Sequence, residues 1–141
     1  MMRFVLDSSV IAKLFIKEHG SDNFYRVWDI CHEKNFPLSA SELILYEVGN
    51  TICKNLKDKA QKGNRYIEMI YKLDLTLHPL DVELAMKSMD WAQKLSITYY
   101  DAVHVTLSSV QGAQLVTEDR ELLKKYKDAI GINETLALVQ K

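Results

Sequence analysis

The chain alternates between short, mostly apolar runs and longer stretches whose apolar residues recur every three or four positions. The short runs are RFVL at 3–6, PLSA at 37–40, LTLHPL at 75–80 and AQLVT at 113–117. Their length and composition predict strands buried within a sheet. Pro37 is tolerated as a strand's first residue, and Pro79 ends the third strand. RFVL stops at Asp7, and Ser8 is placed to cap a helix over residues 9–16. Residues 22–35 carry Phe24, Val27, Trp28 and Cys31 at helical spacing. A longer helix, about 41–57, carries Leu45, Val48, Gly49, Ile52 and Leu56 in one stripe. Residues 64–73 are predicted helical, and Asp81 opens a helix to Leu95 with Leu84, Ala85, Met89 and Ala92 facing inward. Further helices are expected over 99–110 and 119–126. A short edge strand at 130–132 precedes a C-terminal helix. Strands alternating with helices predict an α/β/α sandwich with a central, mainly parallel sheet, as one domain over residues 1–141. Ligands of such sheets bind beyond the carboxyl ends of the strands.

Composition changes this picture little. The 141 residues are 48% apolar and 26% charged, an ordinary globular balance. A formal charge of -1 gives no global attraction to a polyanion, although a local basic patch could still guide one. Cys31 and Cys53 have no CxxC or paired-histidine context, which fits a reducing, cytoplasmic setting better than zinc or a disulfide. Cys53 is expected to be buried on its helix as a small hydrophobe. The apolar start MMRFVLDSSVIAKLF is interrupted by Asp7 and Lys13 and lacks a cleavage site, so it does not read as a signal peptide. No run approaches the roughly 18 uncharged apolar residues of a membrane span, and a soluble protein is expected.

Four acids stand at or near the predicted strand ends. Asp7 follows the first strand, Asp119 follows the fourth, and Asp101 opens the helix leading into that fourth strand. Glu47 lies in the second turn of the long helix, on a face with Asn50 and Lys54 opposite the main stripe. Each acid has a plain structural reading, because carboxylates in first helical turns gain about 0.3–1 kcal/mol from the helix dipole. Asp7 and Asp119 are as readily caps as site residues, and periodicity does not select Glu47 over Glu42. Asp101, between tyrosines and the apolar AVHV, is expected to be buried, where an unpaired carboxylate is costly. Gathered at one rim, such acids would raise one another's pKa values. A hard divalent cation with oxygen ligands answers that repulsion, and it suits displacement at phosphorus.

The stretches FVLDSSVIAKLF, SELILYEVGNTI, LSITYYDAVHVTLS and GAQLVTEDREL resemble, in order and spacing, the four successive motifs of the PIN-domain family. The resemblance covers nearly the whole chain and is greatest to the small VapC-type toxins. It implies a metal-dependent endoribonuclease acting on single-stranded RNA and leaving a 5′-phosphate and a 3′-hydroxyl. By position, Asp7, Glu47, Asp101 and Asp119 would be the catalytic quartet holding Mg²⁺ or Mn²⁺, with Thr117 and Ser9 as supporting hydroxyls. It also implies a small antitoxin partner filling the cleft, and a homodimer, for which the helices at 22–35 and 64–73 are the expected partner surfaces. Two departures are visible: DSS stands where Asp-Thr-Asn/Ser is more frequent, and Glu118 adds a charge beside Asp119.

Other residues carry less. Lys13, Lys17, Lys54 and Arg120 lie on the acid-bearing helices, and Lys13 and Arg120 are the expected contacts to an RNA backbone. His104 shares a helix face with Asp101 and reads as structural; His78 reads as core or strand edge and His32 as exposed. Trp28, Trp91, Met86 and Met89 read as packing. Ser8 and Ser9 are not in a GxSxG elbow. A phosphatase of the haloacid-dehalogenase type wants DxD, where Ser9 stands instead. A non-catalytic PIN-like scaffold is disfavoured by the complete quartet. An RNA-maturation nuclease is not separated from a toxin.

Overall fold

The computed structural model describes residues 1–56 and 60–141. Five strands form one sheet: β1 Phe4–Leu6, β2 Leu38–Ser41, β3 Thr76–His78, β4 Gln114–Val116 and β5 Ala129–Ile130. Their order is β3-β2-β1-β4-β5, and every neighbouring pair is parallel. The helices are α1 Ser8–Ile11, continued by a 3₁₀ turn Ala12–Leu14, α2 Ser21–Glu33, α3 Leu43–Asn55, α4 Ala60–Tyr71, α5 Val82–Leu95, α6 Tyr99–Gln111, α7 Arg120–Lys125 and α8 Ile132–Val139. The last expected residue of the long helix, Lys57, lies outside the described residues.

Alternation along the central strand builds two cores. Phe4 and Leu6 pack with α1, α2, α3 and α8, whereas Val5 packs on the other face with α6 and α7. Both faces of the sheet are therefore covered, as the apolar runs required.

Several local expectations are corrected. Asp7, not Ser8, caps α1: its side chain accepts from the Ser9 and Val10 amides, and the helix begins one residue early. Cys53 is exposed and Cys31 is the buried cysteine, because the inner line of α3 runs through Ile44, Val48 and Ile52. Met86 and Met89 are exposed, at 66% and 50%. The inner line of α5 passes instead through Ser88, whose hydroxyl meets Thr106 of α6 at 3.0 Å. His32 is half-buried, bridging the Trp28 and Asp74 carbonyls. The edge strand β5 ends at Ile130, because Gly131 already caps α8.

Candidate active site

The sheet order places β1 beside β4, so the turns leaving these two strands meet. The Asp7 amide donates to the Val116 carbonyl at 3.2 Å. The Asp7 side chain is buried, and both of its oxygens accept hydrogen bonds. Oδ1 accepts from the Ser9 amide at 3.0 Å and the Ser9 hydroxyl at 2.6 Å, while Oδ2 accepts from the Thr117 hydroxyl. Thr117 Oγ1 in turn accepts from the Asp119 amide at 3.0 Å, and Ser9 Oγ accepts from the Glu118 amide at 3.1 Å. Two hydroxyls thus stitch together turns that are 110 positions apart in sequence. Asp119 caps α7, accepting from the Leu122 amide at 3.0 Å.

Asp101 comes from the first turn of α6, whose N-cap Thr98 accepts from the Asp101 amide at 3.1 Å. It is half-buried rather than buried, with Tyr100 beside it exposed. Burial raises the Asp101 pKa above the usual carboxylate range, and the negative charges of Asp119 and Asp7 raise it further. Burial likewise raises Asp7, offset in part by the nearby His104 and by its hydroxyl and amide donors. The action of Asp119 and Asp7 on Asp101 places the three in one electrostatic neighbourhood.

Glu47 joins it indirectly. Its carboxylate lies 2.7 Å from Nε2 of His104, a buried residue of α6. Burial works to lower the His104 pKa, but the Glu47 hydrogen bond and the charges of Asp7, Glu47 and Asp101 outweigh it, and the net shift is upward. Glu42 instead stands exposed, lining a groove with Tyr46 and Tyr100.

The expected cations divide. Lys13 is only 7% exposed, and its ammonium is committed to Glu18 at 3.0 Å and the His19 carbonyl at 2.8 Å. It holds the loop after α1 rather than standing open to a phosphate. Arg120 is exposed as the first residue of α7, beside Asp119. Glu118 has a structural task that its sequence position did not reveal. Its Oε2 accepts from the Ile132 amide at 3.3 Å, across the N-terminus of α8.

Among the described residues, no three His, Cys, Asp or Glu side chains stand close enough to hold a metal ion as placed. The donor chemistry nonetheless fits a hard divalent cation. The candidate ligands are carboxylate oxygens, and two of them titrate high, Asp7 through burial and Asp101 through burial and then the charges of Asp119 and Asp7.

An α/β/α domain with acids at the carboxyl ends of adjacent parallel strands defines a class of oxygen-rich sites suited to phosphoryl chemistry. A family model described as PIN domain matches residues 4–128. The chain belongs to the PIN-domain family. Over 129 residues it is 30% identical to Ribonuclease VapC3 of Pyrobaculum aerophilum, covering 89% of this chain and 95% of that protein. Over 118 residues it is 34% identical to Exonuclease VapC9 of the same organism, covering 79% and 81%. Among solved structures, PAE2754 from Pyrobaculum aerophilum superposes with a TM-score of 0.75 at 24% identity, covering 99% of this chain and 90% of that one. VapBC2 from Rickettsia felis, bound to a DNA fragment from its promoter, gives 0.68 at 17%, covering 92% and 97%. The two structural likenesses bear on the fold alone.

Proposed function

We propose that this protein is a metal-dependent endoribonuclease that cleaves single-stranded RNA and serves as the toxin of a type II, VapBC-like toxin–antitoxin pair. The observation that carries the reading is the hydroxyl-stitched junction of Asp7, Thr117 and Asp119, with Asp101 facing it from α6. Asp7, Asp101, Asp119 and Glu47 would hold Mg²⁺ or Mn²⁺, which when bound lowers the pKa of water and stabilises charge developing at phosphorus. Ser9 and Thr117 fix the Asp7 carboxylate. Arg120, exposed beside Asp119, would contact the RNA backbone, and the products would be a 5′-phosphate and a 3′-hydroxyl. VapC3 is named a ribonuclease, and the Rickettsia structure is a VapBC complex, which supports both the RNA substrate and a small antitoxin partner. A homodimer through the surfaces of α2 and α4, and a cytoplasmic location, belong to the same reading. No helix among the described residues is long and apolar enough to cross a membrane.

The relative named an exonuclease favours a second reading, degradation from an RNA end. Circular single-stranded RNA separates the two, because it offers no end. Wild type with Mg²⁺ or Mn²⁺ should linearise the circle, chelator should stop it, and Asp101→Asn should abolish cleavage while folding normally. Digestion of linear RNA alone would move the assignment to the exonuclease. An equally active Asp101→Asn would remove the site.

A further inference from the structure

Beside the acids, α6 buries an imidazole. His104 is 1% exposed, and its Nε2 meets Oε1 of Glu47, which lies 57 positions earlier in the chain, at 2.7 Å. Its other ring nitrogen, Nδ1, is buried and has no hydrogen-bond partner among the described residues. An imidazole kept for its own stability would be expected to satisfy both nitrogens. This one makes a single bond, to a carboxylate.

The consequence falls on Glu47. A glutamate on a helix surface has three soft torsions, and holding it in one geometry costs side-chain entropy. Among the described residues, His104 is the hydrogen-bond partner of its carboxylate, since Thr51 bonds only the Glu47 backbone carbonyl. With Nε2–H donating to Oε1, that oxygen is fixed while Oε2 stays disengaged from the ring. Asp7 and Asp101 lie close enough to the same imidazole that their charges act on it, and Asp119 acts in turn on Asp101. Glu42, the rival acid on this segment, is exposed and lines a groove instead, with no side-chain hydrogen bond among the described residues.

We infer that His104 is a positioning residue. Its Nε2–H holds Glu47 Oε1 so that Glu47, rather than Glu42, is offered to the aspartate group as the fourth oxygen donor for a divalent cation. This rests on the metal-dependent reading above. Partners that orient a ligand from behind typically change metal affinity or activity by about 10–100-fold when removed.

Mn²⁺ alone, titrated into the full chain and followed by the paramagnetic resonance of free ion, tests it without reference to cleavage. His104→Leu should weaken Mn²⁺ binding about tenfold or more. His104→Gln, whose amide can donate to Glu47, should recover most of that loss. In a Glu47→Ala background, His104→Leu should produce no further weakening. Should His104→Leu fail to fold by circular dichroism, His104→Asn, too short to reach Glu47, replaces it against His104→Gln. Equal affinity in wild type and both variants overturns the inference alone, as does an undiminished His104 effect without Glu47. A folded wild type that binds no Mn²⁺ overturns the metal-dependent reading and this inference with it.

Discussion

Asp7 both caps the first turn of α1 and sits desolvated beside Asp101 and His104, so its protonation is tied to the stability of the fold. Its pKa and that of Asp101 are raised by burial, Asp101 also by Asp119. A raised acid stabilises the fold fully below its unfolded value, about 4, and loses that contribution as pH climbs through the folded value. His104 is raised too, so its contribution is complete below about 6.5 and fades at higher pH. All three act in the same direction. The metal-free protein should therefore lose stability as pH rises above about 4, and further as it rises above about 6.5. Urea midpoints measured in chelator across that rise provide the check, and a rising profile would contradict the assignment. Asp101→Asn removes one of the strained charges and should stabilise the metal-free protein at pH 8, by roughly 0.5 kcal/mol once solvent screening of this half-exposed group is allowed for. The variant expected to abolish cleavage is thus also expected to be the more stable one, a trade common at functional sites.

At the scale of elements, the sequence reading erred where a small polar residue occupied an inward position. Periodicity counted only apolar side chains on α5 and so chose Met89, whereas Ser88 lies inside because its hydroxyl is satisfied by Leu84 and Thr106. On α3 the line through Leu45, Val48 and Ile52 was nearly right, but Ile44 was missing from it and Cys53 was turned inward. One residue is 100° of helix, which is enough to carry a side chain from core to water. Strands and long helices were legible because their periods differ. The link from Glu118 to α8 was not, since it joins residues 14 positions apart through a turn whose path no local pattern encodes. That contact has a measurable weight. Glu118→Ala leaves the Ile132 amide to water and removes a negative charge from the helix's positive end, which together should cost about 0.5–1 kcal/mol. A thermal midpoint lowered by roughly 2–6 °C with cleavage preserved is the expected result.

For the molecule as a whole, function follows from where the strand order turns back. From β1 the chain moves outward on one side to β2 and β3, then returns to place β4 and β5 on the other. Right-handed crossovers send the connections of the two halves to opposite faces, and the crevice opens where they diverge, between β1 and β4. Asp7 and Asp119 leave the sheet at that point, and α6 brings Asp101 over it. The candidate aspartates were legible because each follows or precedes a strong apolar run. Their convergence depended on strand order, which the runs do not specify, and the family resemblance supplied what periodicity lacked. Glu47 was legible only through that resemblance, its tie to the others passing through a histidine read as structural. The same global view limits how RNA can be held. With 18 basic against 19 acidic side chains there is no broad positive field, and Lys13 is withdrawn into the fold. On the proposed metal-dependent reading, affinity would come from the ion and a few exposed cations such as Arg120. Binding of single-stranded RNA to Asp119-intact, cleavage-dead Asp101→Asn should show a shallow salt dependence. Each phosphate contact contributes a slope of about -0.7 for single strands, so two or three contacts give a value of about -1.4 to -2.1. Arg120→Ala should reduce the slope by about one contact's worth and weaken binding evenly across RNA sequences. A steep slope, or one unmoved by Arg120→Ala, would place the RNA on a different and more basic surface than the crevice between β1 and β4.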